Sequence, residues 1–136
     1  MKYLLSFLLL ALTCVLWLTP AWAHRPMRII CVESGGIDYN YRLMQGFIQE
    51  LHKRKFLLAV PTKGKMHETS EFWDWLVQNS DREKVLFQAD GFYSFDWNDN
   101  KREPISQVIQ NRIKQDHDVD LVIALGTPAG LAMAQL

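Results

Sequence analysis

Cysteine, net charge and internal repetition are scarce in this chain. Its 136 residues include two cysteines, Cys14 and Cys31. Cys14 lies in an apolar N-terminal run that reads as removable, which leaves Cys31 alone in the remainder. One thiol cannot close an internal disulfide, so a disulfide-stapled exported scaffold is excluded. Cys31 sits inside the apolar run RIICV, where a thiol reads as a buried, unreactive core residue. Lys and Arg number 15, Asp and Glu also 15, for a formal net charge of +0. Without surplus positive charge there is no electrostatic footprint for nucleic acid or for an anionic membrane surface. No internal repeat or low-complexity tract breaks the sequence.

Complete catalytic and metal motifs are missing too. VESGG resembles a nucleophile elbow, but Val32 stands at the first glycine position and no His–Asp pair is placed to activate Ser34. HETSE lacks the second histidine of H-E-x-x-H, since Glu71 stands there. Asp96, Asn98 and Asn100 have calcium-loop spacing, but Lys101 replaces the required glycine and Gln107 the terminal bidentate Glu. The glycine clusters form neither G-x-G-x-x-G nor a Walker loop. The four histidines lie among polar neighbours and read as surface residues. These gaps argue against an enzyme, a bound metal or a cofactor.

The N-terminus is more distinctive. Lys2 precedes the apolar stretch Tyr3 to Leu18, Pro20 breaks it, and Ala21-Trp22-Ala23 supplies small residues for a signal-peptidase site. Residues 1–23 are therefore read as a signal peptide cleaved before His24. Residues 24–136 then form one α/β lobe, periplasmic or secreted. The alternative is an uncleaved N-terminal membrane anchor, since the uncharged stretch is about long enough to span a bilayer.

Beyond it, strand and helix patterns alternate. Arg28–Glu33, Phe56–Val60, Val85–Ala89 and Leu121–Leu125 are short apolar runs, as in strands buried on both faces. Between them, helical spacing links Leu43, Met44, Phe47, Ile48 and Leu51, then Phe72, Trp73, Leu76 and Val77, then Ile105, Val108, Ile109 and Ile113. Asp38 or Asn40, and then Thr69 or Ser70, are the expected caps of the first two helices. Pro104 is expected in the first turn of the third helix, and Pro128 at the start of a fourth. The alternation predicts an open, mostly parallel sheet of about four βα units with helices on both faces.

Ligands of such sheets bind outside the carboxyl ends of the strands. The loops expected there are ESGGIDY, DGFYSFDW and GTPAG. Gly35, Gly36 and Gly126 permit close backbone approach, and Ser34 and Thr127 offer hydroxyls beside helix-start N–H groups that favour a carboxylate. Tyr39, Phe92, Tyr93 and Trp97 could stack on an apolar or aromatic ligand. Taken singly, each residue also fits an ordinary βα turn; together the loops point to one ligand cleft.

The stretch DLVIALGTPAGLAMAQ resembles the strand–turn–helix signature D-L-I-V-A-I-G-T-P-A-A of a family of ABC-transporter substrate-binding proteins. QGFIQEL is similar to that family's G-F-x-x-x-L helix, and the resemblance covers about Met27 to Leu136. It implies a type I periplasmic-binding-protein fold, with a small organic ligand, often amino-acid-like, held between two lobes. It also implies first-lobe contacts at Ser34, Gly35, Thr127, Pro128 and Ala129, and partnership with a membrane permease and ATPase. Relatives run to roughly twice this length, so the resemblance implies that this chain is an N-terminal piece of such a protein. An exported sensory or accessory domain, completed by a partner protein, is the alternative expectation.

Overall fold

The computed structural model describes residues 25–61, 64 and 66–136. The expected signal peptide, 1–23, lies outside the described residues. Three of the apolar runs become strands: β1, Met27–Glu33; β2, Val85–Ser94; and β3, Leu121–Leu125. They pair in parallel in the order β2-β1-β3. Among the described residues four α-helices accompany them: α1, Asp38–Lys53; α2, Thr69–Asn79; α3, Asp99–Asn111, continued by a π-helical turn, Arg112–Asp116; and α4, Thr127–Met133. The expected open parallel α/β sheet with helices on both faces is the architecture observed.

β1 explains why the sheet is covered twice. Side chains alternate along a strand, and Ile29, Ile30, Cys31 and Val32 are each at most 3% exposed. Ile29 and Cys31 join Met44 and Ile48 of α1 and Phe72, Trp73 and Leu76 of α2. Ile30 and Val32 join Ile109 of α3 and Ala129 and Ala132 of α4. Burial pushes the Cys31 thiol well above its ordinary pKa, and the neighbouring Glu33 charge adds to the effect. A Cys14→Ser variant should therefore give no native-state reaction with a thiol reagent and full reaction in denaturant; rapid native labelling would contradict this burial.

The run Phe56–Val60 does not join the sheet. It makes one antiparallel bridge, Leu57 to Ser80, and is clipped to the end of α2 by Leu58 N–H to Asn79 O at 2.8 Å and Asp81 N–H to Phe56 O at 2.8 Å. Only Leu57 is buried; Leu58 and Val60 are exposed, and Pro61 lacks a ladder donor. Among the described residues, three strands therefore stand where four were expected.

The helix starts differ as well. Ile37 precedes α1 without a side-chain cap; Asp38 lies in its first turn, and Asn40 is buried and bonded elsewhere. α2 is capped not by Thr69 or Ser70 but by a reciprocal box between Glu68 and Glu71. Asn98 caps α3 by accepting from Asn100 N–H at 3.0 Å. That cap starts α3 at Asp99, so Pro104 falls in its second turn rather than its first. Leu43 and Val108, expected on buried stripes, are exposed.

β2 carries a wide bulge. Between the pairs Ile29–Phe87 and Cys31–Phe92, two steps along β1 are matched by five along β2. Such an insertion frees backbone groups from the ladder. Trp73 Nε1–H donates to Gln88 O at 2.9 Å from one face, and Arg112 donates to Asp90 O at 3.3 Å from the other. The bulge is thus held from both layers, and it re-aims Phe92 and Tyr93.

At the amino edge of the sheet, Asp120 accepts from Arg28 Nε at 3.0 Å, Arg28 N–H at 2.9 Å and Arg25 at 2.9 Å. These bonds, Arg28 foremost, hold its carboxyl down at about 2. A depressed folded-state pKa stabilises above the unfolded value, about 3.9, and that stabilisation is lost as pH falls through about 2. Asp120 is partly exposed, so solvent screening reduces the effect to on the order of 1 kcal/mol. Asp120→Asn should lower the urea midpoint at pH 7 and shrink its difference from the parent below pH 3; equal midpoints at pH 7 would contradict the assignment.

Candidate functional site

The carboxyl ends of β1 and β3 carry two of the segments that the sequence singles out. Of the third, DGFYSFDW, Asp90–Ser94 belong to β2 itself, which runs past the expected end at Ala89, and only residues 95–97 follow the strand. After β1 the chain turns through Ser34-Gly35-Gly36. Ser34 is 1% exposed, and its hydroxyl donates to Leu125 O at 3.2 Å while accepting from Ala129 N–H at 3.0 Å. Its backbone N–H donates to Leu125 O at 2.9 Å. Gly126, with φ 90, fits because a Cβ there would lie 2.6 Å from Ser34 Oγ. Ser34, Gly126 and Ala129 therefore form a staple between the ends of β1 and β3 and the start of α4. Its polar groups are spent on one another. Pro128 opens α4 as expected, and Thr127 beside it is exposed.

The loop after β2 folds back over the first turn. Phe95 N–H donates to Glu33 O at 2.9 Å and Trp97 N–H to Ser34 O at 2.8 Å. Asp96 and Trp97 both adopt left-handed backbone, φ 51 and 58, which reverses the chain toward α3. The Trp97 ring lies on Gly35, where a Cβ would come within 2.4 Å of it. Its other side faces solvent, the residue being 58% exposed. Gly35 is thus required for close approach. A Cβ on Gly36 would meet nothing within 4 Å, and the residue opens onto free space.

That space is a cleft of about 440 Å³ on the α1–α2 side of the sheet edge. Its floor is Glu33 and Phe92; its walls include Gly36 and Asp38 at the start of α1 and His67 and Thr69 at the start of α2. Glu68 and Asp96 also reach its rim, but both carboxylates are engaged. Glu68 caps α2, and Asp96 pairs with Lys101 and accepts from Ser94 at 2.8 Å. These contacts hold the Asp96 carboxyl below its ordinary pKa.

The proposed residues divide into groups. Ser34, Gly35, Gly126 and Ala129 meet around the β1 and β3 ends, and Gly36 borders the cleft. Tyr39 is 63% exposed in the first turn of α1, away from the cleft lining. Tyr93 turns to the opposite layer, where its ring packs with the Ile30 and Ile109 cluster and its hydroxyl accepts from Arg112 at 2.8 Å. Glu33 and Asn40 were not anticipated. Glu33 is 5% and Asn40 1% exposed, and Asn40 Nδ2 donates to Glu33 Oε2 at 3.3 Å and to Gly35 O at 3.1 Å. The available signal was a carboxylate closing an otherwise apolar strand. His67, read as surface, is exposed but stands on the cleft wall.

No protein-family model, curated protein or solved structure matched the chain. Among the described residues, no helix is long and apolar enough to cross a membrane.

Proposed function

We propose that this chain is a lobe of an exported solute-binding component of an ABC importer. It holds a small organic ligand at the carboxyl edge of its sheet and delivers it to membrane permease and ATPase subunits. The carrying observation is the cleft of about 440 Å³, which opens where parallel α/β sheets bind ligands and has a volume suited to a small molecule. The pattern of GTPAG after an apolar strand supports the transport assignment by resemblance. Binding without bond chemistry is in keeping with Ser34, the buried hydroxyl between the β1 and β3 ends, being engaged by Leu125 O and Ala129 N–H.

Gly36→Leu tests the site. Gly36 borders the cleft and has room for a side chain, so the variant should melt like the parent while losing the thermal shift produced by any compound that binds there. Compounds that stabilise parent and variant equally would place binding elsewhere.

A second reading, an exported sensory or accessory domain completed by a partner, is favoured by the edge position of β3. One side of β3 is unpaired among the described residues, and Leu121 is 42% exposed. Permease and ATPase genes beside this one would favour the first reading; a histidine kinase gene there would favour the second.

A further inference from the structure

Within that proposed ligand-binding site, we infer that the cleft selects an organic cation, a protonated amine seated on Glu33. This rests on the reading of the cleft as a ligand site and adds the ligand's charge. Glu33 is 5% exposed at the cleft floor and pairs with no Lys, Arg or His among the described residues. Its Oε2 has the single bond from Asn40 at 3.3 Å, and its Oε1 has no donor among the described residues. Beside it, Asn40 Oδ1 is buried without a hydrogen-bond partner. Exchanging the Asn40 oxygen and nitrogen would not help, because it would bring an oxygen against both Glu33 Oε2 and Gly35 O. Asn40 Oδ1 is the buried acceptor without a donor and lies behind the cleft lining, whereas Glu33, 5% exposed, presents to the cleft a carboxylate that no cation among the described residues balances; a carboxylate this buried is ordinarily paired.

An ammonium group carries three donors and no acceptor, which matches that deficit in both charge and hydrogen-bond sense. Asp38, at the cleft wall and without an ion-pair partner among the described residues, adds a second negative charge. A metal ion fits less well, since no group of three or more His, Cys, Asp or Glu side chains comes together among the described residues. Phe92 on the floor and Ile37 at the side give the cleft apolar surface for the carbon part of an amine. The expected carboxylate-binding chemistry does not fit this cleft: carboxylates line it, and the Ala129 N–H at the other loop is already taken by Ser34.

The test uses two probes of similar size and opposite charge, phenethylamine and 3-phenylpropanoate, titrated at millimolar concentration into the ¹⁵N-labelled full chain. The amide resonances of Gly36, Asp38 and Thr69 are followed. Phenethylamine should shift them saturably, and 3-phenylpropanoate should not. Glu33→Gln should weaken phenethylamine by at least about tenfold, the scale of one charge-assisted hydrogen bond. Asp38→Asn, an exposed change that leaves the core untouched, should weaken it by about two- to fivefold through long-range charge, more at low salt. If Glu33→Gln fails to fold, the Asp38→Asn result and the contrast between the probes still decide. Preferential binding of 3-phenylpropanoate, or phenethylamine binding unchanged in the variants, would overturn the inference while leaving a ligand site. Binding of neither probe would overturn both.

Discussion

Trp73→Ala is expected to cost about 3–5 kcal/mol of folding stability, read as a lower urea midpoint. Against a typical total of about 5–15 kcal/mol, that is a large share of what holds the native state. The side chain is fully buried, its ring meets Phe87 edge-on at 5.4 Å, and its N–H satisfies the Gln88 carbonyl freed by the β2 bulge. Trp73→Phe separates the contributions. It keeps most of the apolar packing but leaves that carbonyl without its donor, for an expected cost of about 1–3 kcal/mol. Alanine at 73 costing under about 1 kcal/mol would mean that the α2 layer does not hold the bulge.

Gly126→Ala is expected to cost about 2–4 kcal/mol, from strain at φ 90 together with a Cβ placed 2.6 Å from Ser34 Oγ. The loss should appear as a lower thermal midpoint and as weakened amide protection in α4, whose Ala129 N–H depends on the same hydroxyl. Ser34→Gly removes the colliding atoms, so the double variant should be less destabilised than the two single costs added together. Strict additivity would show that the two residues do not meet as described.

The sheet was legible because its strands are continuous apolar runs, although only β1 is buried on both faces and β3 buries Leu125 alone. Continuous apolar runs such as RIICV and LVIAL have little other use in a polar chain, and the helical stripes between them carried the layers. Phe56–Val60 misled for the same reason: it is as apolar as a strand, but its apolar character serves one buried leucine and a clasp on α2. The α2 cap was missed because Glu68 does work usually given to Ser or Thr. At the site, the close-approach glycines could be read locally, since Gly35 and Gly126 each accept a neighbouring side chain where a Cβ would sit. Tyr93 was assigned to the ligand edge from its loop alone; the bulge, invisible in sequence, turns it to the α3 layer. Glu33 shares the face of Ile29 and Cys31 by simple alternation. That it is buried without a cation among the described residues emerges only when the starts of α1 and α2 converge above it.

The central position of β1 also sets an order of assembly. β1 leaves the ribosome first, yet both of its partners come late: β2 begins at Val85 and β3 at Leu121. The Asp120 contact that anchors its start joins residues 92 apart in sequence. No local hairpin can shelter this strand while the chain grows, and contacts of such separation close slowly. The most deeply buried strand of the lobe therefore stays open until almost the whole described chain is available. During that interval it is at once the template for the sheet and the segment most exposed to wrong pairing or to capture by a chaperone.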